Sequence, residues 1–241
     1  MVSKRLPAPV RYVAALVVLS LFQPITSWAQ ISIGSGLRVD RPARTVQDLR
    51  DQNLVKQRFD FSCGAAALAT ILRYGFSESV TEAEILGQLF SLLAPDEVEP
   101  VRRTGFSLFH LQRVAQARGF GAQGFRMSPN QLPQLGGPVI VFIEPRGYAH
   151  FAVLRGVKDD RVYLADPSRG NIRMPTYTFL NTWLQDDGQG IIFVVEPTSG
   201  VPGAETALTL RTNGLARPEI LTVPEMLSVG GLFRPLRDLP R

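Results

Sequence analysis

An α+β fold, with a layer of helices packed on an antiparallel sheet, is what this sequence predicts, and three observations carry the prediction. Apolar residues recur at helical spacing in the first half of the chain, as at Leu108, Leu111, Val114 and Ala115. In the second half they give way to short β-branched runs such as Val139-Ile140-Val141. Helices are gathered before strands instead of alternating with them, which favours an antiparallel sheet over a parallel one.

The elements follow in order. Lys4, Arg5 and Arg11 precede an apolar stretch from Val13 to Phe22, and Ser27 and Ala29 flank Trp28 in a small-x-small pattern. Residues 1–29 therefore read as a signal peptide, with the mature chain starting near Gln30. An uncleaved anchor is the competing reading; Pro24 and the small residues at 27 and 29 disfavour it. Residues 30–53 hold Gly34, Gly36 and Pro42 and read as an irregular lead-in. The domain proper is expected over 54–196. A helix is expected over 63–74 and stops at Gly75, a residue that commonly supplies a left-handed cap. Thr81 and Glu84 have capping-box spacing for a second helix that runs to about Ser91. The stretch from Pro95 to Pro100 reads as a loop. Ser107 can cap a third helix, Leu108 to Arg118, which Gly119 ends.

Strands follow. Pro138 to Ile143 reads as a strand buried on both faces. Phe151 to Leu154 and Arg161 to Ala165 read as a hairpin turning through Gly156 to Asp160, and Ile191 to Val195 completes the sheet. Trp183, with Tyr177, Phe179 and Leu180, is expected to fill core. From Pro197, the prolines 202, 218, 224, 235 and 240 interrupt any regular element, so residues 197–241 read as an extension and not a second domain.

Composition excludes several classes of function. The formal charge of +5 includes Lys4, Arg5 and Arg11, so a mature chain would carry +2. No run of Lys or Arg is interleaved with aromatics, which argues against a nucleic-acid partner. Two histidines and one cysteine are too few and too scattered for a structural zinc site, and nothing indicates a cofactor. No later segment is long and apolar enough to span a bilayer, so contact with the membrane is expected only through the signal peptide before cleavage.

Cys63 is the single cysteine of a chain read as exported, where cysteines normally pair. It precedes Gly64, three alanines and Leu68, which places its sulfur at a helix N-terminus. Unpaired backbone N–H groups there favour an anion and lower a thiol's pKa. A thiol nucleophile needs a base, a group that orients the base, and a donor for the oxyanion. His150 opens one strand and Asp166 closes the next, at equal distances from Lys158, so the two are expected to face each other across the hairpin. A carboxylate on one imidazole nitrogen would leave the other for the thiol. Gln57, just before the helix, can offer its amide to an oxyanion.

Taken together, Gln57-x5-Cys63-Gly64, the segment Gly147 to Phe151 around His150, and Val162 to Gly170 around Asp166 resemble the C39 family of papain-fold cysteine peptidases. The resemblance covers about residues 54–195. It implies a papain-like fold, Cys63 as nucleophile, His150 as base and acid, Asp166 as its orienter and Gln57 as oxyanion donor, acting on a polypeptide substrate. Familiar members front ATP-driven exporters, but this sequence contains no Gly-x4-Gly-Lys-Ser/Thr phosphate loop, so no role for ATP is expected. Ser62 to Leu72, behind a signal peptide, more loosely resembles the exported C39-like protease of functional-amyloid (Fap-type) secretion systems in Gram-negative bacteria. That likeness implies a periplasmic location, with amyloid subunits or secretion components as partners.

Plainer readings stand beside these. A free cysteine is often a buried small hydrophobe, and Asp166 before Pro167 can be a turn residue. His110 competes as a base, but its place inside the third helix suits a surface or packing role. A non-catalytic C39-like adaptor or chaperone that binds peptides is the alternative function, although binding alone has no need of Cys63, His150 and Asp166 together. Amidase or transpeptidase chemistry shares the same acyl-enzyme and stays open.

Overall fold

The computed structural model describes residues 28–33, 37–42, 45–198 and 205–210. They fall into two units, one ending at Thr45 and one starting at Val46. In the first, β1 (Trp28–Ile33) pairs antiparallel with β2 (Leu37–Pro42), with Ile31 opposite Val39. An irregular lead-in was expected there. The residues missed as a signal are Ile31, Ile33, Leu37 and Val39, which alternate with polar neighbours around Gly34-Ser35-Gly36. The expected signal peptide lies outside the described residues, apart from Trp28 and Ala29 at the start of β1.

The second unit opens with a short helix, α1 (Val46–Arg50), followed by α2 (Cys63–Thr70). Every residue of α2 is buried, because it is built from glycine, alanine and Leu68 and can lie flush against its neighbours. It continues into a wider π-type turn, Ile71–Gly75. Gly75 is not left-handed, contrary to the expectation; Ser77 adopts positive φ instead. α3 (Glu82–Ser91) begins as expected, with the Thr81 hydroxyl accepting from Glu84 N–H and the Glu84 carboxylate accepting from Thr81 N–H at 2.7 Å. The stretch read as a loop is in part a helix, α4 (Val98–Thr104). Pro100 sits in its first turn, where the missing N–H costs nothing. α5 (Leu108–Ala117) is capped by Ser107, and Gly119 follows with φ of 83°.

The sheet has six strands, all antiparallel: β3 (Phe120–Met127), β4 (Val139–Ile143), β5 (His150–Lys158), β6 (Arg161–Asp166), β7 (Gly170–Pro175) and β8 (Gly190–Pro197), in the order β3-β8-β4-β5-β6-β7. The α+β expectation holds. β3 and β7, the two edges, were not foreseen. Gly121 and Gly124 obscure β3, and β3 exposes both faces over most of its length, so it shows no alternation. Between β7 and β8 runs α6 (Thr176–Trp183), also unforeseen.

Two apolar cores flank the sheet. One packs α2 to α5 against Ile140, Phe151, Val153 and Phe193; the other packs α6 and Leu132 against Val141, Ala152, Leu154 and Ile192. This split explains why β4 is buried on both faces. Phe179 and Trp183 stack with ring centroids 5.4 Å apart, and both are fully buried, while Tyr177 faces solvent against expectation. Of the expected C-terminal extension, residues 205–210 dock onto the domain. Leu208 is fully buried in the first core.

Gly190 is dictated by packing. A Cβ there would overlap the Trp183 indole, whose Nε1–H donates to Ile191 O at 3.0 Å. Gly190→Ala should therefore destabilise the domain by about 3 kcal/mol. A urea midpoint unchanged from wild type would contradict that packing.

Candidate active site

The site forms where the N-terminus of α2 meets the first residue of β5. Gly64 allows the approach: a Cβ there would stand 3.2 Å from side-chain carbons of both Leu111 and Phe151, tighter than ordinary contact. With that clearance α2 lies close over β5, and Cys63 reaches His150. The thiol, only 6% exposed, lies within hydrogen-bonding reach of the imidazole.

On its other side His150 Nε2 lies 3.0 Å from Asp166 Oδ1. A carboxylate accepts only, so Nε2 carries the proton and Nδ1 is the nitrogen left for Cys63. Asp166 is wholly buried and collects further donors. Oδ1 also accepts from Ser168 N–H at 2.9 Å, Ser168 Oγ–H at 2.8 Å and Arg169 N–H at 3.1 Å, and Oδ2 accepts from Arg169 Nε at 2.8 Å. The turn Asp166-Pro167-Ser168-Arg169 thus folds back onto its own carboxylate. The turn reading and the orienting reading of Asp166 are therefore compatible.

The electrostatics follow. Burial pushes the His150 imidazole down, but the Asp166 hydrogen bond and charge, with help from Cys63, outweigh it and raise its pKa to about 9. Burial pushes Asp166 up; the His150 hydrogen bond and charge, then Arg169, overcome this and hold its carboxyl well below the usual range. The imidazolium–carboxylate pair is therefore intact at neutral pH.

Asp166 was placed correctly beside His150, but by a register that does not occur. The turn is the two-residue pair Asp159-Asp160, both at positive φ (50° and 56°), and not a longer loop centred on Lys158. Val153 stands opposite Ala165, and the same register carries Asp166 to Ala152, diagonal to His150 on one face. A one-residue bulge between Leu154 and Gly156 makes this possible. Arg155, the bulged residue, donates from Nε to Leu208 O at 2.9 Å and from Nη1 to Asn171 Oδ1 at 3.2 Å.

Gln57 lines the same cleft as Cys63 and His150. Its backbone N–H donates to Pro167 O at 3.1 Å, tying it to the Asp166 turn, and its Nε2 donates to Phe59 O at 3.0 Å, leaving a second Nε2 proton. His110 belongs to the α5 cap, where its Nδ1 accepts from Ser107 N–H at 3.2 Å. Among the described residues, no group of three or more His, Cys, Asp or Glu is placed to hold a metal ion.

Glu82 is a site residue that the sequence did not reveal. It reads as a first-turn surface charge, yet it is 4% exposed. Its Oε1 accepts from Arg58 N–H at 2.8 Å and from Ser62 Oγ–H at 2.5 Å. It therefore pins the loop between Gln57 and Cys63 from beneath. Arg169 was also missed; only its spacing of three from Asp166 within a turn hinted at it.

A thiol, an imidazole and a buried carboxylate in series, on helices packed against an antiparallel sheet, form a group able to carry out acyl transfer. By comparison with known proteins, the chain belongs to the peptidase C39 family, whose family model matches residues 51–199, and it is a peptidase. A probable functional amyloid protease FapD of Pseudomonas fluorescens is 37% identical over 173 residues, 70% of this chain and 73% of that one. The protein of the same name from Pseudomonas aeruginosa is 36% identical over 205 residues, 85% and 82% of the two chains. A solved double-glycine-motif protease from an AMS/PCAT transporter, in complex with its leader peptide, is 26% identical, covers 60% of this chain and 91% of its own, and has a TM-score of 0.49.

Two measurements check the geometry. In an NMR titration, His150 should lose its proton near pH 9, and in Asp166→Asn the midpoint should fall by more than a unit, because burial then acts with less opposition. Since the folded pKa of His150 lies above the unfolded one, the stabilisation that its protonation contributes should be complete below about pH 6.5 and fade as pH rises through about 9, while the share of Asp166, whose pKa is lowered, is lost only in acid. Glu82→Leu should cost about 2 kcal/mol, because Arg58 N–H and Ser62 Oγ–H lose a buried acceptor, and Glu82→Gln should cost less. Equal urea midpoints for the two variants would count against this role.

Proposed function

We propose that this peptidase is an exported cysteine endopeptidase that cuts a co-exported polypeptide through a thioester acyl-enzyme. The observation that carries the reading is the His150–Asp166 pair at 3.0 Å with Cys63 on the other side of the same imidazole. In this reading Cys63 and His150 work as a thiolate–imidazolium pair, the proton of the thiol already held on His150 Nδ1, and Sγ attacks the scissile carbonyl carbon. The developing oxyanion takes N–H donors from Gln57 Nε2 and from the backbone at the start of α2. Collapse expels the amine, which takes the proton from His150. Water then hydrolyses the thioester with His150 accepting its proton, and the thiol is restored. Asp166 keeps Nε2–H oriented throughout and stabilises the imidazolium.

The amyloid-protease names of the two Pseudomonas relatives support a place in functional-amyloid export, with an amyloid subunit or a secretion component as the polypeptide cut. The same relatives, together with the signal-peptide pattern of residues 1–29, support a periplasmic location in a Gram-negative bacterium. Among the described residues no helix is long and apolar enough to cross a membrane.

Cys63→Ser should keep its fold and lose nearly all cleavage of co-exported polypeptides, and rapid acid quench of the wild-type reaction should trap an acyl adduct on Cys63 by mass spectrometry. His150→Ala should lower the rate by about 10²- to 10⁴-fold, and Asp166→Asn by a smaller factor. Substantial turnover by Cys63→Ser would overturn the assignment of the nucleophile.

A further inference from the structure

The cleft over Cys63 encloses about 860 Å³ and carries an unbalanced charge: Arg102, Arg103, Arg146 and Arg169 line it against one carboxylate, Asp60. Two of the four are engaged. Arg169 serves Asp166, and Arg102 lies 3.8 Å from the exposed Glu99 and over the Phe90 ring. Arg103 and Arg146 are exposed and have no ion-pair partner among the described residues.

They also stand on different elements. Arg103 comes from the last turn of α4, which is followed by Gly105 at φ of 84°. Arg146 sits four residues before His150, in a turn where Gly147 N–H donates to Glu144 O at 3.2 Å and Tyr148 N–H to Pro145 O at 3.2 Å. Arg146 itself holds a left-handed backbone, φ 57° and ψ 30°, costly for a residue with a side chain. The loop leading into the proposed base is thus fixed by its own hydrogen bonds and presents a guanidinium to the cleft. A polypeptide lying across Cys63 would pass these side chains. Guanidinium groups match carboxylates in shape and charge and are weakly hydrated, so they pair with them readily at a partly enclosed surface.

We propose that the cleft selects polypeptide segments with Asp or Glu side chains near the bond to be cut, with Arg103 and Arg146 as the specificity-determining residues. The proposal builds on the peptidase reading of Cys63 and names its substrate class. A carboxylate bound at either arginine replaces a bulk counter-ion at a surface that otherwise repels basic segments.

The test separates binding from turnover. Full-length Cys63→Ser is titrated with fluorescein-labelled, C-terminally amidated 12-residue peptides that differ only in having Glu, Gln or Lys at the flanking positions. The Glu peptide should bind at least about tenfold more tightly than the Gln peptide at low salt, and this advantage should shrink as salt is raised to about 0.3 M. In Cys63→Ser carrying Arg103→Glu and Arg146→Glu, the Lys peptide should become the tighter ligand; with Arg103→Gln and Arg146→Gln, the Glu and Gln peptides should bind alike. Equal binding of the Glu and Gln peptides to Cys63→Ser overturns the proposal, and so does a Glu preference that survives charge reversal. An oligonucleotide of equal length binding more tightly than the Glu peptide would also overturn it, in favour of a phosphate polymer. Incubating the same peptides with wild type tests the peptidase assignment separately: a Glu preference in binding without turnover would sink that assignment and leave the charge selection standing.

Discussion

The bulge at Arg155 is the constraint on which the site depends. Side chains alternate faces along a strand, so a one-residue change in register moves a residue to the opposite side of the sheet. From the Asp159-Asp160 turn, Lys158 pairs with Arg161, Val157 with Val162 and Gly156 with Tyr163. Continued without interruption, that register would set Asp166 opposite Val153, on the face away from His150. The extra residue restores the parity, and below it Leu154 pairs with Leu164 and Val153 with Ala165. His150 and Asp166 then share a face and bond. A tight turn and one inserted residue together do what a longer turn was expected to do.

The remaining parts of the site are secured to that hairpin by small residues and by buried acceptors. Gly64 and the alanines let α2 lie close over β5, which sets Cys63 against His150. Glu82 holds the loop before Cys63, and the Gln57–Pro167 backbone bond ties that loop to the Asp166 turn. The charged groups in this network are buried or half-buried, and each has partners. Breaking one partnership would strand the other member in a low dielectric, which is costlier than the net worth of the contact. Rigidity at the reactive centre follows from that asymmetry.

Much of this was legible in the sequence, because it is local. The Thr81 and Ser107 caps, the stop at Gly119 and the buried run of β4 are short-range patterns with physical causes, and the α+β class follows from their order. The four proposed site residues stood out for their chemical type and spacing. Non-local features were hidden. β3 carries glycines and little alternation, because it is an edge. α4 begins with a proline in its first turn, which reads as a loop until the turn's orphan N–H groups are considered. Nothing local marks Arg155 as bulged, since its partners Leu208 and Asn171 are 53 and 16 residues away. Glu82 was invisible for the same reason: burial of a charge is decided by what packs over it.

The docked segment 205–210 bears on where this protein ends as a folding unit. The family match stops at residue 199, and the last strand of the sheet at Pro197. Beyond both, Leu208 fills a position in the helical core, and the carbonyls of Ala207 and Leu208 accept from Arg155, with Ala207 O also held by Asn53 Nδ2 at 3.2 Å. A chain ended at residue 199 would keep every described strand and every proposed catalytic side chain. It would still have an unfilled hole in its core, and Arg155, at the bulge that sets the hairpin's parity, would lose the Ala207 and Leu208 carbonyls. The folded unit thus includes a side chain from an apparent tail, beyond its last described strand.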